Sequence, residues 1–256
     1  MPWTVSHAAA VLPLRGSTPW PLDFPALVVG SMTPDLGYYI GQFELATFEH
    51  SLRGSVLACL PTGVILLLGF YLFCKPAAFA LPRPHRPALL PLCPGFGGLR
   101  PARWWIILFS LLLGIWTHIF WDSFTHESGW FAQRTALLWD PVVPVGAATF
   151  RLPFVLQLAS TFIGFAIVAV AYFRWLRWQD PPETSASDTR RYLLALAISL
   201  VALLVAVPAA FHFAANLEGI MFVRAIMFRT AIYAPALALP LGLLVASIIY
   251  LRRRAG

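Results

Sequence analysis

Charge is scarce in this chain. Asp, Glu, Lys and Arg make up 11% of its 256 residues, against about a quarter in a soluble globular protein. Too few charged side chains exist to cover a water-facing surface, which excludes a soluble enzyme or a soluble binding module of this length. Cysteine is scarce too. Cys59, Cys74 and Cys93 are an odd number with no C-x-x-C spacing. Neither a disulfide framework nor a cysteine-ligated zinc site is expected, and the three are read as small apolar residues. A secretory signal opens with cations and then an apolar core. Here Met1-Pro2-Trp3-Thr4-Val5-Ser6-His7 leads and the first cation is Arg15, so the N-terminal segment is expected to be retained. No internal repeat is visible. The net charge of +7 forms no basic stripe with interleaved aromatics, which argues against a nucleic-acid partner. The basic residues flank apolar segments, where they set membrane orientation.

Apolar length is what the chain has in plenty. Hydrophobic residues are 59% of the total and the mean hydropathy is +0.74. Five segments are near the roughly 20 residues that a bilayer core demands: Ser55 to Phe73, Trp104 to Phe124, Phe154 to Leu176, Leu193 to Phe213, and Ile232 to Leu251. In lipid they can only be helices, because each must satisfy its own backbone polar groups. Pro61, Pro208, Pro235 and Pro240 are expected to kink them. Lys75 to Arg103, rich in Pro and Gly, reads as an irregular loop. Gln179 to Thr189 reads as a short loop, and Glu127 to Leu152 as a longer one whose tryptophans suit the membrane interface. Ala8 to Leu14 and Ala26 to Ile40 are apolar but interrupted; interfacial helices, a re-entrant pair and one extra span all fit, and short helices packed on the bundle are the favoured reading. The predicted fold is therefore all-α: a polytopic membrane helical bundle of about five transmembrane helices plus short N-terminal helices. It forms a single integral membrane domain over residues 1–256.

The cations give an orientation. With five spans, the segments Lys75 to Arg103, Arg174 to Arg191 and Arg252 to Arg254 share one side and hold twelve of the 18 Lys and Arg residues. The other side holds Arg15, Arg53, Arg134, Arg151, Arg224 and Arg229. The positive-inside rule places the first set, and the C-terminus, in the cytoplasm. The N-terminal region and the segment after Phe124 then lie at the outer face.

Chemistry concentrates in Thr117-His118-Ile119-Phe120-Trp121-Asp122-Ser123-Phe124-Thr125-His126. His118, Asp122 and His126 stand at i, i+4 and i+8. Each step turns only about 40°, so an unbroken helix presents all three on one face. A carboxylate in a span costs about 2.5–3.5 kcal/mol at the bilayer centre and less near its edge, so something must compensate it. Imidazole and carboxylate together are the usual ligands of zinc and similar ions; a hydrogen-bonded His–Asp cluster tying helices together is the competing reading. His118 and His126 would lie about 12 Å apart on a continuous helix. One ion could not hold both, which leaves His126 to a second ion or to acid–base work. Asp35, after the Gly30-Ser31-Met32-Thr33-Pro34 turn, can point at an ion without helical geometry. His7 and His50 add imidazoles at the terminus and before the first span. His85 is expected to be solvated, and His212, near Asn216 and Glu218, to be interfacial.

The order His7, Pro34-Asp35, His50-Ser51, His118-x3-Asp122 resembles a bacterial family of membrane proteins of unknown function. It looks like a branch of the inner-membrane group regarded as metal-dependent hydrolases, distantly similar to zinc-dependent phospholipase C. The opening from Met1 to Pro13 and the Thr117–His126 run carry the likeness, which covers roughly residues 1–130. The resemblance implies His7, Asp35, His50, His118 and Asp122 as metal ligands, with zinc the expected divalent ion, and implies hydrolase chemistry. That group carries a second Asp shortly after Pro-Asp. Here position 37 is Gly and position 39 is Tyr.

Three functions follow as expectations. The first is a metal-dependent hydrolase acting on a lipid-linked phosphoester, with Asp35 or Asp122 orienting water, His126 as acid or base, and Arg53 or Arg151 facing the phosphate. The second is a transporter whose polar residues line a pathway. The third is a structural or assembly protein with a stabilising metal. A site at the bilayer edge suits the first, because a lipid substrate has a buried tail and a polar head.

Overall fold

The computed structural model describes residues 3–16, 21–93, 103–140, 142–145, 148–179 and 186–255. The Pro/Gly-rich stretch 94–102 and most of the short loop before Thr189 lie outside them. Five helices are long and apolar enough to cross a membrane: Leu52–Ala80, Trp104–Thr125, Leu152–Arg177, Asp188–Ala214 and Gly219–Arg254. The all-α bundle expected from the sequence is what the chain forms.

A 3-10 turn (Thr4–His7) leads into α1 (Ala8–Val11). Next come α2 (Phe24–Met32), a 3-10 turn (Thr33–Asp35), α3 (Leu36–Tyr39) and α4 (Phe43–Glu49). The first span starts as α5 (Leu52–Gly54), widens into a π-helical turn at Ser55–Cys59, and continues as α6 (Leu60–Ala80). Pro61 has no N–H for the carbonyl four residues back, which favours the wider turn there. After α7 (His85–Leu89) come α8 (Trp104–Thr125), α9 (Trp130–Arg134) and α10 (Ala136–Trp139). An antiparallel hairpin, β1 (Val142–Val145) with β2 (Ala148–Arg151), pairs Val142 with Arg151. The chain ends in α11 (Leu152–Arg177), α12 (Ala186–Ala214) and α13 (Gly219–Ala255).

Four sequence expectations need correction. The segment from Lys75 to Arg103, read as an irregular loop, continues α6 to Ala80 and then holds α7 and a 3-10 turn at Leu90–Leu92. The segment between Glu127 and Leu152 holds two short helices and a hairpin rather than loop alone. The last helix begins at Gly219, well ahead of Ile232: Arg224 and Arg229 lower the hydropathy of that stretch, but a nucleated helix propagates through them. The guanidinium of Arg229 lies 3.7 Å over the Phe213 ring and donates to the Tyr233 hydroxyl at 3.1 Å. Finally, Cys74 and Cys93 form a disulfide with Cα atoms 5.5 Å apart, while Cys59 is free and buried. The proline-rich segment turns back on α6, a proximity that cysteine counting does not register.

The contacts group into two compact units. One comprises Met1–Leu67 and Leu99–Tyr172, the other Leu68–Gly98 and Phe173–Gly256. The first unit is built on α2 against α8. Gly30 and Gly114 make this possible, since a Cβ on Gly30 would sit 2.2 Å from the Leu111 carbonyl oxygen and one on Gly114 2.3 Å from that of Leu27. Close backbone approach through small residues is how membrane helices associate. Leu27, Ile107, Leu111 and Ile115 are fully buried along this seam. Asp23 caps α2 by accepting from the Ala26 N–H at 3.0 Å, and its own N–H donates to Ser110 Oγ at 2.9 Å. Phe162, Ile163 and Phe165 on α11 and Leu196, Leu200 and Leu204 on α12 point outward, as lipid-facing side chains do.

Candidate metal centre

The seam between α2 and α8 ends in a polar cluster. One turn of helix separates His118 from Asp122, and both are buried. Two short elements aim further side chains at them. The Thr33–Asp35 turn, closed by Pro34, presents Asp35, which is fully buried. His50 is the C-cap of α4. His118, Asp122, Asp35 and His50 each offer one donor atom, and these four atoms lie within 4.8 Å of one another.

The ring nitrogens are set by backbone carbonyls. His118 Nδ1 lies 2.8 Å from the Ser31 carbonyl oxygen, and His50 Nδ1 lies 2.7 Å from that of Ala46. Each Nδ1 therefore donates, and each Nε2 faces the cluster. Such second partners are typical of metal-binding histidines, because they fix the tautomer and the ring.

Distances separate a metal cage from a hydrogen-bonded cluster. His118 Nε2 is 3.3 Å from Asp122 Oδ2 and 3.6 Å from Asp35 Oδ1. His50 Nε2 is 3.3 Å from Asp122 Oδ2, 3.7 Å from Asp35 Oδ1 and 3.3 Å from His118 Nε2. Charge-assisted hydrogen bonds are shorter, about 2.7–2.9 Å. Tetrahedral ligands at about 2.0–2.2 Å from a zinc ion have edges of ~3.3–3.6 Å. Five edges of the cage thus have the spacing of ligands around an ion. Asp35 Oδ1 and both carboxylate oxygens of Asp122 are buried without a hydrogen-bond partner, which buried oxygens seldom are. The residues present fit a divalent cation.

His7 and His126 flank the cage. The His7 ring stacks on His118 with centroids 3.6 Å apart, and its Nε2 faces Asp122 Oδ1 at 3.5 Å. Burial is the largest influence on His7 and holds its pKa well below 6.5, so the ring is neutral. The α8 helix stops at Thr125, and His126 is extended at φ −112° and ψ 141°. That break turns the His126 ring back toward Asp122, with Nδ1 3.5 Å from Oδ2, instead of leaving it two turns along the axis. Its Nε2 lies 3.0 Å from the amide nitrogen of Gln157 on α11. Burial lowers the His126 pKa to about 4. The side chains of His50 and His126 are 20% and 21% exposed, while those of His118 and Asp35 are closed off. Access to the cage is therefore along the His50–His126 edge.

Further residues carry the site although the sequence did not mark them. Thr4 Oγ1 donates to Asp35 Oδ2 at 2.6 Å and contacts the Tyr39 hydroxyl at 2.9 Å. Burial is the leading cause that raises the Asp35 carboxyl above its ordinary value. Ser6 Oγ donates to the Thr161 carbonyl at 2.8 Å, which anchors the His7 turn on α11. Glu49 is fully buried, with Oε2 accepting from the Gly37 N–H at 3.2 Å. A carboxylate therefore stands beside position 37 after all, contributed from twelve residues downstream. Gln157, a single amide in an apolar span, was the one signal legible in advance.

The other candidates lie elsewhere. Arg151 donates to the Trp139 carbonyl at 2.8 Å and stacks on that ring at 4.0 Å. Arg53 is exposed. His85 opens α7 half-buried, and His212 is exposed on α12, both in the second unit.

Residues 1–250 match the family described as a domain of unknown function, DUF4184, and the chain belongs to that family. No curated protein and no solved structure matches it.

Proposed function

We propose that this member of the DUF4184 family is a membrane-bound, metal-dependent hydrolase of a lipid-linked phosphoester. The observation that carries the reading is the cage of Asp35, His50, His118 and Asp122, five of whose edges have the spacing of ligands around a divalent ion such as zinc. A divalent cation held there supplies Lewis acidity to a phosphoryl oxygen and lowers the pKa of a water. The chain's own residues do the rest. His50 and His126 form the one accessible edge, where a headgroup approaches while its tail stays in lipid. His126 stands at that edge with Nδ1 held toward Asp122 and Nε2 accepting from the Gln157 amide; release of that amide would free Nε2 to take a proton and return it. Thr4 and the Ser31 and Ala46 carbonyls hold the ligands in register. The twelve-to-six cation split supports a site at the outer face of a bacterial inner membrane with the C-terminus in the cytoplasm.

A second reading has its own support. Four protein ligands close a tetrahedron, as structural zinc sites do, whereas catalytic sites keep a position open. On that reading the ion only stabilises an assembly protein. The Gln157–His126 pair at the open edge favours the hydrolase, since a purely structural ion needs no titratable group there. Elemental analysis of the detergent-purified chain, followed by phosphate or headgroup release from lipid phosphoesters, tests both. About one zinc per chain with turnover supports the hydrolase. Zinc without turnover leaves the structural ion, and no bound metal removes both.

A further inference from the structure

Glu49 is a buried carboxylate that the chemistry above leaves unused. Its Oε1 is shut away without a hydrogen-bond partner. Such a group is costly, and an apolar side chain of the same size would remove the penalty. Its place in the chain suggests what offsets that cost. Gly37, whose N–H it accepts, follows Asp35 by two residues, and His50 follows Glu49 directly.

Asp35 and His50 are the two cage donors borne on short elements. His118 and Asp122 share one long helix, and their 3.3 Å edge is set by its pitch. The Asp35–His50 edge has no common helix and is the longest measured, at 3.7 Å. Two contacts join the elements that bear it. A Cβ on Gly37 would come within 2.6 Å of the Ala46 nitrogen, so α3 lies directly on α4. Beside that contact, the Glu49 carboxylate grips the Gly37 N–H. Cys59 Sγ donates to the Glu49 carbonyl at 3.3 Å, which ties the grip to the π-helical turn of the first span.

We infer that Glu49 is a positioning residue of the metal centre: its carboxylate holds the Asp35 turn against the His50 helix and sets the separation of those two ligands. The inference rests on the metal reading. Its test is cobalt titration with zinc competition on the full chain in detergent. Glu49→Met keeps the volume but lacks the acceptor. It should bind cobalt about 10–100-fold more weakly, the usual effect of losing an outer partner of a ligand, and should alter the cobalt absorption bands. The cation-free protein should melt somewhat lower, because the buried Gly37 N–H loses its acceptor even as an orphan oxygen is removed; the altered cobalt bands, which lost stability alone would not move, carry the positioning claim. Glu49→Gln retains an acceptor for Gly37 and should stay close to wild type. Wild-type affinity in Glu49→Met, or equal losses in both variants, overturns the inference. Should Glu49→Met not fold, Glu49→Asp, whose acceptor is drawn back by one methylene, decides against Glu49→Gln: weakened binding in Asp alone supports the grip, and equal binding removes it. A wild-type chain that takes up no cobalt fails at an earlier point, in the metal reading itself.

Discussion

The two units bury different things. In the second, α12 packs on α13 through Ala202, Ala206, Ala210 and Ala214, a buried stripe at four-residue spacing. Along the same pair of helices runs an open apolar groove of about 390 Å³ lined by residues such as Val201, Val205, Leu237 and Leu244. In the first unit, α8 buries Ser110, His118, Asp122 and Thr125 on the face that α2 meets through Gly30 and Gly114. Both units therefore have the small residues that let membrane helices approach. The first unit does not need a buried acid and buried imidazoles to hold its helices together. Their cost must be offset by something other than packing, and the bound cation of the reading proposed above would supply it.

Removing a ligand tests this contrast most severely. Structural zinc binding is worth about 10–16 kcal/mol, so one of four ligands carries about 3 kcal/mol, more than a hundredfold in affinity. His118→Ala or Asp122→Ala should weaken zinc binding more than a hundredfold, read by competition with a chelator of known affinity. His212→Ala and His85→Ala, in the second unit, should leave it intact. Metal lost equally from both pairs would end the division between the units.

Metal removal acts on a comparable scale. A cation at about a thousand times its dissociation constant stabilises the state that binds it by about 4 kcal/mol. Hydrogen exchange should therefore slow on adding zinc around 31–50 and 118–126 and return on chelation. Amides of α12 and α13 should not respond. Uniform protection of both units would show that the ion stabilises the whole chain and would favour the structural reading.

A smaller effect is expected where packing alone places the ligands. Gly114→Leu drives a side chain into the Leu27 carbonyl and the Ser31 nitrogen, 2.3 and 2.8 Å from any Cβ there. Overpacking costs about 1–3 kcal/mol. Because the Ser31 carbonyl holds His118 Nδ1, metal affinity should fall roughly tenfold or more with it. The same change at Gly242, which has open space around its Cβ position, should leave metal affinity unchanged. Equal affinities in the two variants would detach the α2–α8 seam from the site.

These contrasts also mark what the sequence could reveal. The spans were legible because lipid imposes apolar runs of nearly fixed length, and His118 and Asp122 because helix pitch puts i and i+4 on one face. Asp35 and His50 were legible as residue types beside turns, but their meeting depends on how the turn lies on α4. Glu49 was hidden for that reason: its partner is a backbone N–H, and no side-chain pattern records it. His126 was found, but its role in space turned on a helix break at Thr125 that the apolar run conceals. Cys74 and Cys93 were misread because counting cysteines says nothing of a proline-rich segment folding back.

That cysteine pair supplies the last and smallest effect, and it decides which way the first unit faces. A bond across 19 residues is worth about 3 kcal/mol where it forms. Disulfides persist in oxidising compartments and are rare in the cytosol. On the orientation proposed above, the segment from Lys75 to Arg103 faces the cytoplasm, where proximity allows the bond but the thiol pool keeps it open. Twelve cations outweigh one cysteine pair as a topological determinant, so the pair should be reduced in native membranes. A membrane-permeant maleimide should label Cys74 and Cys93 in intact cells, and an impermeant one only after lysis. Cys93→Ser should change neither metal content nor stability measurably. A bond that survives rapid alkylation would put this segment on the oxidising side. The Arg252–Arg254 end would then lie outside and the His118–Asp122 cage at the cytoplasmic face. In that case the substrate would have to be sought among cytoplasmic-leaflet lipids.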